Sequence, residues 1–400
     1  MKGLVSARPR LLITGLVLAL GACGGGGSES ASGTDAKSGK GSGVIKIGAL
    51  LPLSGDNTNS GTDMLNAAKL AVDDINAAGG VLGRRLEIVS ADDGCDPQTG
   101  TAAAQKLLVS GIVGVAGGYC SAAAIPETAV LDPRGIPFIS AAATNPTLTE
   151  RGMKTVFRTV GRDDQQGPFA ARFLAGSLGA KKLALLHTNT VYSKGLAEQT
   201  RAANDALKLG MEIVYFDAIT PGERDYSSAL TKIKASGADT LYFTGYLAEA
   251  GLIVRQAKEL RLPLRLTGGD ATNDPAVIKT AGPAAEGFIA TTSPLPAFLP
   301  AAAGFTKAYS ERYGTAPGPY SVYEYDAVRV LADAVTRAGS TDLKKVVEAL
   351  RATRHEGLTG EITFDDKGDR QKTVYVTAIV RDGRFVPYKK LDDAGNWVDA

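Results

Sequence analysis

The chain of 400 residues is poor in the side chains that usually build metal and redox centres, with two histidines, three cysteines, four methionines and one tryptophan. His187 and His355 stand in no metal-ligand spacing with each other or with a cysteine. The sequence also lacks a G-x-S-x-G nucleophile elbow, a Walker loop and a G-x-G-x-x-G motif after its first strand-like segment. We therefore expect no metal, no cofactor and no enzyme activity.

An excess of charge of either sign is also missing. The formal net charge is +2, from 44 lysines and arginines against 42 aspartates and glutamates, and the basic residues do not cluster. Nucleic-acid-binding proteins usually carry a basic patch, because phosphate contacts supply most of their affinity. The sequence therefore predicts no nucleic-acid partner, and recognition must depend on shape and local chemistry.

Residues 1–22 have the pattern of a signal peptide, with Lys2, Arg8 and Arg10 ahead of an apolar run at 11–20. That run is too short to span a membrane, which takes about 20 apolar residues. It ends in small residues directly before Cys23, and residues 20–23 (LGAC) are similar to a bacterial lipobox. This similarity implies cleavage before Cys23 and lipidation of that cysteine; the alternative is an ordinary secretory signal with an incidental cysteine.

The segment that follows is a flexible linker. Residues 24–43 are almost all glycine, serine and small polar residues, which cannot bury enough apolar surface to fold. A chain of this length and composition spans roughly 25 Å on average. Residues 23–43 are thus predicted to tether a folded body to the outer face of the cell membrane.

From residue 44 onward, strand-like and helix-like patterns alternate. Compact apolar runs occur at 44–51, 86–89, 112–115 and 137–139, separated by helical stretches such as 97–110 and 121–131. A second series of strand-like runs follows at 183–186, 212–215, 240–243 and 264–266. Repeated strand-helix-strand units are typical of doubly wound parallel sheets, and the length favours two lobes. Ligands of such sheets bind beyond the carboxyl ends of the strands, so we expect a site between the lobes.

Several segments resemble the leucine/isoleucine/valine-binding protein family of type I periplasmic binding proteins. The resemblance covers residue 44 to the C-terminus and rests on the motifs at 91–97 (ADDGCDP), 118–121 (GYCS), 140–144 (SAAAT), 158–168 (RTVGRDDQQGP), 219–227 (ITPGERDYS) and 364–369 (FDDKGD). It implies an α/β fold of two Rossmann-like lobes joined by three crossovers, near 161–163, 291–295 and 362–368. The N-terminal lobe would comprise 44–162 plus 295–366, and the C-terminal lobe 163–294 plus 367–400.

The two remaining cysteines, Cys95 and Cys120, form an even pair in a chain predicted to be exported. A disulfide is the usual fate of such a pair in an oxidising compartment. Closing a loop of this length would stabilise the fold by about 3 to 4 kcal/mol in the chain-entropy model. The alternative is two buried free thiols.

The resemblance also implies a set of residues that bind an amino acid. In the N-terminal lobe, Ser121 at the start of a helix would hold the ligand carboxylate, while Ala142 and Thr144 would contact both charged ends through backbone groups and a hydroxyl. Purely structural roles remain open, because Ser121 could simply cap a helix and Thr144 could cap a turn before residues 145–146.

In the C-terminal lobe, Tyr192, Tyr246 and Asp270 match family contact positions, with Asp270 as the counter-ion of the ligand ammonium. Family members that bind branched-chain amino acids have glutamate there, so the side chain is one methylene shorter. Asp270 could otherwise cap a helix that begins near residue 273. The niche for the ligand side chain would include Ser60, Tyr119 and Tyr320, of which Tyr119 replaces an aliphatic residue.

These residues predict an extracytoplasmic, lipid-anchored and monomeric solute-binding protein. It would bind a neutral amino acid, branched-chain or similar, and deliver it to an ABC permease. A receptor of the same fold that senses amino acids or amides and passes the signal to a membrane kinase is the alternative. An exported hydrolase that uses Ser121 with Asp270 is a more distant one, because it lacks an obvious general base.

Overall fold

The computed structural model describes residues 43–400. The signal peptide, Cys23 and all but the last residue of the linker lie outside the described residues, and the statements about them stay predictions. Five strands build the first sheet: β1 (Ile45–Leu51), β2 (Leu86–Asp92), β3 (Ile112–Gly117), β4 (Phe138–Ser140) and β5 (Val156–Arg158). All are parallel, in the spatial order β2-β1-β3-β4-β5.

Helices follow the strands of this sheet: α1 (Thr58–Ala77), α2 (Pro97–Leu108), α3 (Ser121–Leu131) and the short α4 (Thr147–Glu150). The sheet is apolar on both faces, since β1 and β3 are buried nearly throughout. One face packs against α1, and the other packs against α2 and α3. Such near-continuous burial is what parallel strands covered on both sides require.

The second sheet contains a parallel part made of β6 (Lys182–His187), β7 (Glu212–Ala218), β8 (Thr240–Phe243), β9 (Arg265–Gly268) and β10 (Ile289–Thr292). Its helices are α5 (Asp163–Arg172), α6 (Val191–Ala206), α7 (Ser227–Ala235), α8 (Leu247–Glu259) and α9 (Pro275–Ala281). Helices α5 and α6 pack on one face, and α7, α8 and α9 pack on the other.

The C-terminal part of the chain contributes to both sheets. Helices α10 (Ala303–Tyr313), α11 (Ser321–Ala338) and α12 (Leu343–Arg351) return to the first sheet, where α11 packs against α1 and β3. A small hairpin follows, of β11 (His355–Gly357) and β12 (Gly360–Ile362). The last strands, β13 (Val376–Arg381), β14 (Arg384–Leu391) and β15 (Trp397–Asp399), extend the second sheet antiparallel beyond β10.

The chain therefore passes between the two sheets after β5, after β10 and before β13. The predicted fold class of two doubly wound lobes joined by crossovers is confirmed. The residue limits given above for the two lobes stay a prediction. Across residues 43–400, no helix is both long enough and apolar enough to cross a lipid bilayer.

Candidate functional site

The candidate site lies where loops of both sheets meet, at the carboxyl ends of the parallel strands. Loops after β3 and β4 face loops after β6, β8 and β9, and the Asn145 side chain donates a hydrogen bond across this boundary to the Val191 carbonyl at 2.9 Å. In the first sheet the strand order reverses at β1, which has β2 on one side and β3 on the other. Such a switch point is where open α/β sheets bind ligands.

Two glycines shape the loop after β3. Gly117 and Gly118 have φ angles of 149° and 75°, which residues with a Cβ rarely adopt. A Cβ on Gly117 would lie 2.5 Å from the Leu50 carbonyl oxygen, so the chain can turn this sharply beside β1 only with glycine there. The turn brings Tyr119 to the cavity between the sheets.

Four tyrosines, which we call the tyrosine cage, dominate the site: Tyr119, Tyr192, Tyr246 and Tyr320. The ring centroid of Tyr119 lies 5.9 Å from that of Tyr246 and 5.6 Å from that of Tyr320. The ring centroids of Tyr192 and Tyr246 lie 5.2 Å apart. With Ala142, Asp270 and Ala271 the cage encloses a cavity of about 10 Å³, roughly the volume that one water occupies. Aromatic rings therefore fill most of the space between the loops.

Asp270 is the charged group of the cage. It lies directly after β9, is 3% exposed, and accepts hydrogen bonds of 2.7 Å from the hydroxyls of both Tyr192 and Tyr320. Burial raises the pKa of Asp270 above its ordinary value, and the two hydroxyl donors oppose that rise. The site thus holds a desolvated carboxyl whose ionised form would gain from a cationic partner.

Ser121 and Thr144 are both buried but do not line the cavity of the cage, and neither has the structural role considered above. Helix α3 begins at Ser121, but the Ser121 hydroxyl accepts from the backbone N–H of Asn145 at 3.3 Å and caps no helix. Within residues 43–400, the Thr144 hydroxyl has no hydrogen-bond partner, while Asn145 accepts from the Thr147 N–H in the turn. The Ala142 N–H donates a hydrogen bond to the Gly118 carbonyl oxygen. Any contact between the Ala142 backbone and a ligand would therefore use the carbonyl oxygen of Ala142.

Ser60 lies near the cage but does not line its cavity. Its hydroxyl donates to Asp274 at 3.3 Å, which links α1 to the loop before α9. Asp274, and not Asp270, caps the helix in this region, since it accepts from the Ala276 N–H. The sequence signal for this cap was an aspartate directly before Pro275, the usual pattern at a helix N-terminus.

The two cysteines of the folded part come together at the base of the loop that carries Tyr119. The Cα atoms of Cys95 and Cys120 are 5.2 Å apart, within the range that disulfides require. This geometry supports the predicted pairing, and the oxidation state in the exported protein stays a prediction.

Comparison with known proteins places this geometry in a family. The family model described as periplasmic binding protein matches residues 44–384, which is most of the chain. The chain belongs to the leucine/isoleucine/valine-binding protein family. Two solved relatives from Desulfitobacterium hafniense, each 28% identical, are ABC transporter substrate-binding proteins. In this chain the Ser121 hydroxyl bonds a backbone amide, and within the described part no histidine or carboxylate is bonded to it as a base.

Two relatives from Pseudomonas aeruginosa illustrate the match, and each covers 83% of this chain and 89% of its own length. An amino acid binding protein is 37% identical over 338 residues. A leucine-, isoleucine-, valine-, threonine- and alanine-binding protein is 36% identical over 336 residues.

Solved structures of amino acid-binding proteins have the same fold as this chain. A leucine-binding protein from Thermotoga maritima superposes with a TM-score of 0.80 at 30% identity, covering 86% of this chain and 97% of that protein. A branched-chain amino acid transporter substrate-binding protein from Streptococcus pneumoniae, solved with isoleucine, also gives 0.80, at 28% identity and with 90% and 100% coverage.

Proposed function

We propose that this chain is the solute-binding component of an ABC importer and that it binds a neutral amino acid between its two lobes. The observation that carries the proposal is Asp270, a buried carboxyl held by two tyrosine hydroxyls among loops from both sheets. A carboxyl in this setting suits a ligand ammonium, because removal of water strengthens a charge-assisted hydrogen bond. Membership of the family supports an amino acid as the source of that ammonium.

The remaining proposed contacts divide the ligand into three parts. Asp270, with Tyr192 and Tyr246 beside it, would bind the ammonium, while Ser121 and Thr144 would bind the carboxylate. The backbone of Ala142 would lie next to both ends of the ligand. Tyr119 and Tyr320 would enclose the ligand side chain, with Ser60 at the edge of the niche. The shared cavity of the cage supports the roles proposed for Ala142, Asp270 and the four tyrosines. The roles proposed for Ser121, Thr144 and Ser60 rest on the resemblance to the family.

The cavity of about 10 Å³ holds roughly one water, so any amino acid fits only if the tyrosine rings or the loops around them move. Asp270 is one methylene shorter than glutamate, which leaves more room between its carboxyl and the ligand. We propose that the ligand is a neutral amino acid, branched-chain or similar, in keeping with the relative whose name lists leucine, isoleucine, valine, threonine and alanine.

Transport would depend on closure of the lobes. In this proposal the N-terminal lobe comprises 44–162 plus 295–366, the C-terminal lobe comprises 163–294 plus 367–400, and the crossovers act as the hinge. A ligand that touches both lobes binds the closed form more tightly and so shifts the population towards it. The permease would recognise that closed form, and lipid on Cys23 would keep the protein at the membrane.

A ligand screen tests the proposal. The purified folded part, residues 43–400, is melted in the presence of each common amino acid and of small amides and carboxylates, and hits are measured by calorimetry. We expect one or more neutral amino acids, branched-chain or similar, to raise the melting temperature by mass action. Binding of carboxylates without an amino group, or no response to any amino acid, would contradict the proposal.

A further inference from the structure

Tyr320 reaches the cage from a segment that has no regular secondary structure. This segment, residues 314–320, connects α10 to α11, and its first three residues are exposed, whereas Tyr320 is buried. The Tyr320 hydroxyl donates to Asp270 at 2.7 Å, so a residue next to α11, which packs on the first sheet, contacts a residue that follows β9 of the second sheet. A connecting segment moves unless other contacts hold it, so the position of Tyr320 needs support.

The carboxylate of Asp63, on α1, supplies that support. Its Oδ1 accepts from the Gly318 N–H at 2.8 Å, and its Oδ2 accepts from the Ser321 hydroxyl. Gly318 and Ser321 stand on either side of Tyr320 in the sequence, so one carboxylate fixes the chain before and after the tyrosine. The Tyr309 hydroxyl of α10 donates to the same Oδ1 at 2.7 Å.

The approach of the segment to Asp63 is close and involves a charge. A Cβ at residue 318 would lie 2.6 Å from the Asp63 Oδ2, so the segment can come this near only with glycine there. Burial raises the pKa of Asp63 to about 6, and the three hydrogen-bond donors oppose that rise. At pH 7.5 the carboxyl is therefore ionised and acts only as an acceptor, and hydrogen bonds to an ionised acceptor are the stronger kind.

Other acidic residues of α1 hold the helices but not this segment. Asp73 pairs with Arg312 of α10 at 2.5 Å, and Asp74 accepts from the Tyr325 hydroxyl of α11 at 2.7 Å. Both contacts join one helix to another. The packing of α10 and α11 on α1 therefore does not depend on Asp63 alone, and Asp74 offers a matched control.

We propose that Asp63 is a positioning residue of the candidate site, because it holds the segment 314–321 so that the Tyr320 hydroxyl reaches Asp270. The inference rests on the proposed function, since Tyr320 acts on a ligand only if the cage binds one. Asp63 does not line the cavity of the cage. Its effect on the ligand therefore passes through Tyr320, and it becomes small in a protein in which residue 320 has no hydroxyl.

The first test measures this coupling. Full-length parent, Asp63→Ala, Asp63→Asn and the control Asp74→Ala, each with and without Tyr320→Phe, are titrated calorimetrically with L-valine and L-leucine at pH 7.5. We expect Asp63→Ala to weaken binding by on the order of tenfold, because a binding residue loses the contacts that support it. In the Tyr320→Phe background the same change should cost about twofold or less.

The conservative variant separates positioning from charge. In Asp63→Asn the amide oxygen still accepts from the Gly318 N–H, and the amide NH₂ donates to the Ser321 hydroxyl, which can reverse its own role. We therefore expect Asp63→Asn to bind L-valine and L-leucine within about threefold of the parent, well above Asp63→Ala. Asp74→Ala should match the parent.

Hydrogen–deuterium exchange tests the same contact without a ligand. The Gly318 N–H is bonded to Asp63, so peptides that cover residues 314–321 should exchange about tenfold faster in Asp63→Ala than in the parent. Asp63→Asn and Asp74→Ala should exchange like the parent.

The outcomes separate the inference from the proposed function. If neither L-valine nor L-leucine binds the parent, exchange alone decides the inference, and the proposed function fails only if no other amino acid binds. Where they bind, parental affinity in Asp63→Ala, or an equal loss with and without Tyr320→Phe, overturns the inference. Unchanged exchange in Asp63→Ala overturns it in either case. If Asp63→Ala gives no cooperative melting transition, Gly318→Ala takes its place with the same expected and contradicting results, because the added Cβ displaces the carboxylate.

Discussion

At the scale of single residues, Asp270 and the tyrosine cage act on two different properties of the ligand: Asp270 on its charge and the cage on its size. Burial makes ionisation of Asp270 costly, and the hydroxyls of Tyr192 and Tyr320 recover part of that cost. Burial also raises the pKa of both tyrosines well above the usual value, so they remain donors at any physiological pH. The ligand ammonium would supply what the tyrosines cannot, a full positive charge.

The first prediction concerns this charge. Asp270→Ala should weaken amino acid binding by at least roughly thirtyfold, because loss of one partner of a desolvated charge pair costs about 2 to 5 kcal/mol. Calorimetry with L-alanine and L-valine measures the effect. Asp382→Asn, in the exposed turn between β13 and β14, is the control and should bind like the parent. Parental affinity in Asp270→Ala would show that the ammonium binds elsewhere.

The second prediction concerns size. Tyr119→Leu restores an aliphatic residue and opens the cage, so the affinity for L-leucine relative to L-alanine should rise by about tenfold, as expected for one or two methylenes of space. Competition binding of the two amino acids gives this ratio directly. Tyr215→Leu, a change on β7 outside the cavity, should leave the ratio unchanged. A ratio that stays constant in Tyr119→Leu would mean that Tyr119 does not limit ligand size.

The sequence alone identified most of these residues as candidates for the ligand site, but it did not predict their hydrogen-bond partners. Ser121, Ala142, Thr144, Tyr192, Tyr246 and Asp270 follow strand ends, where periodicity and motif matches locate them. An aspartate near a helix start normally caps it, and only the hydrogen bonds show that Asp274 caps α9 while Asp270 accepts from two tyrosines.

At the scale of elements, a buried ion pair ties the first crossover to the third. Asp369 pairs with Arg158 at the end of β5 and also accepts from Thr149 at 2.9 Å. Arg162 pairs with the same carboxylate from the first crossover. The chain before β13 is thereby fixed against the end of the first sheet, next to the expected hinge.

The third prediction follows from that pair. Asp369→Asn should lower the free energy of unfolding by about 3 to 5 kcal/mol, because Arg158 would stay buried without a compensating charge. Urea denaturation of the ligand-free protein measures this value. The control Asp366→Asn lies in the same turn, is exposed, and should be close to neutral. A change below about 1 kcal/mol in Asp369→Asn would mean that other groups neutralise Arg158.

The elements themselves were predictable to different degrees. The compact apolar runs predicted β1 to β4 and β6 to β9, because buried parallel strands read as continuous apolar segments. The short strands β5 and β10 were not identified, and neither were β13, β14 and β15. The residues of these last three strands are partly exposed and include Lys389 and Lys390, so the pattern lacks the strong apolar signal of the buried strands.

At the scale of the whole molecule, the antiparallel addition of β13, β14 and β15 makes the second sheet larger than the first, with eight strands against five. In the described residues, β1 belongs to the first sheet and the last three strands belong to the second. If residues 24–43 act as the predicted linker to a lipid anchor, that anchor would hold the lobe of the first sheet, and closure would move the other lobe relative to it.

The last prediction concerns that attachment. If Cys23 is lipidated, full-length protein expressed in a bacterial host should fractionate with membranes and carry a diacylglyceryl cysteine at its N-terminus. Cys23→Ser should release it, because a linker that averages roughly 25 Å provides no affinity for lipid of its own. Mass spectrometry of the N-terminal peptide and membrane fractionation measure both effects. The Cys95→Ser/Cys120→Ser variant is the control, since it should stay membrane-bound while losing stability. An unmodified N-terminus, or membrane association that persists in Cys23→Ser, would contradict the anchor.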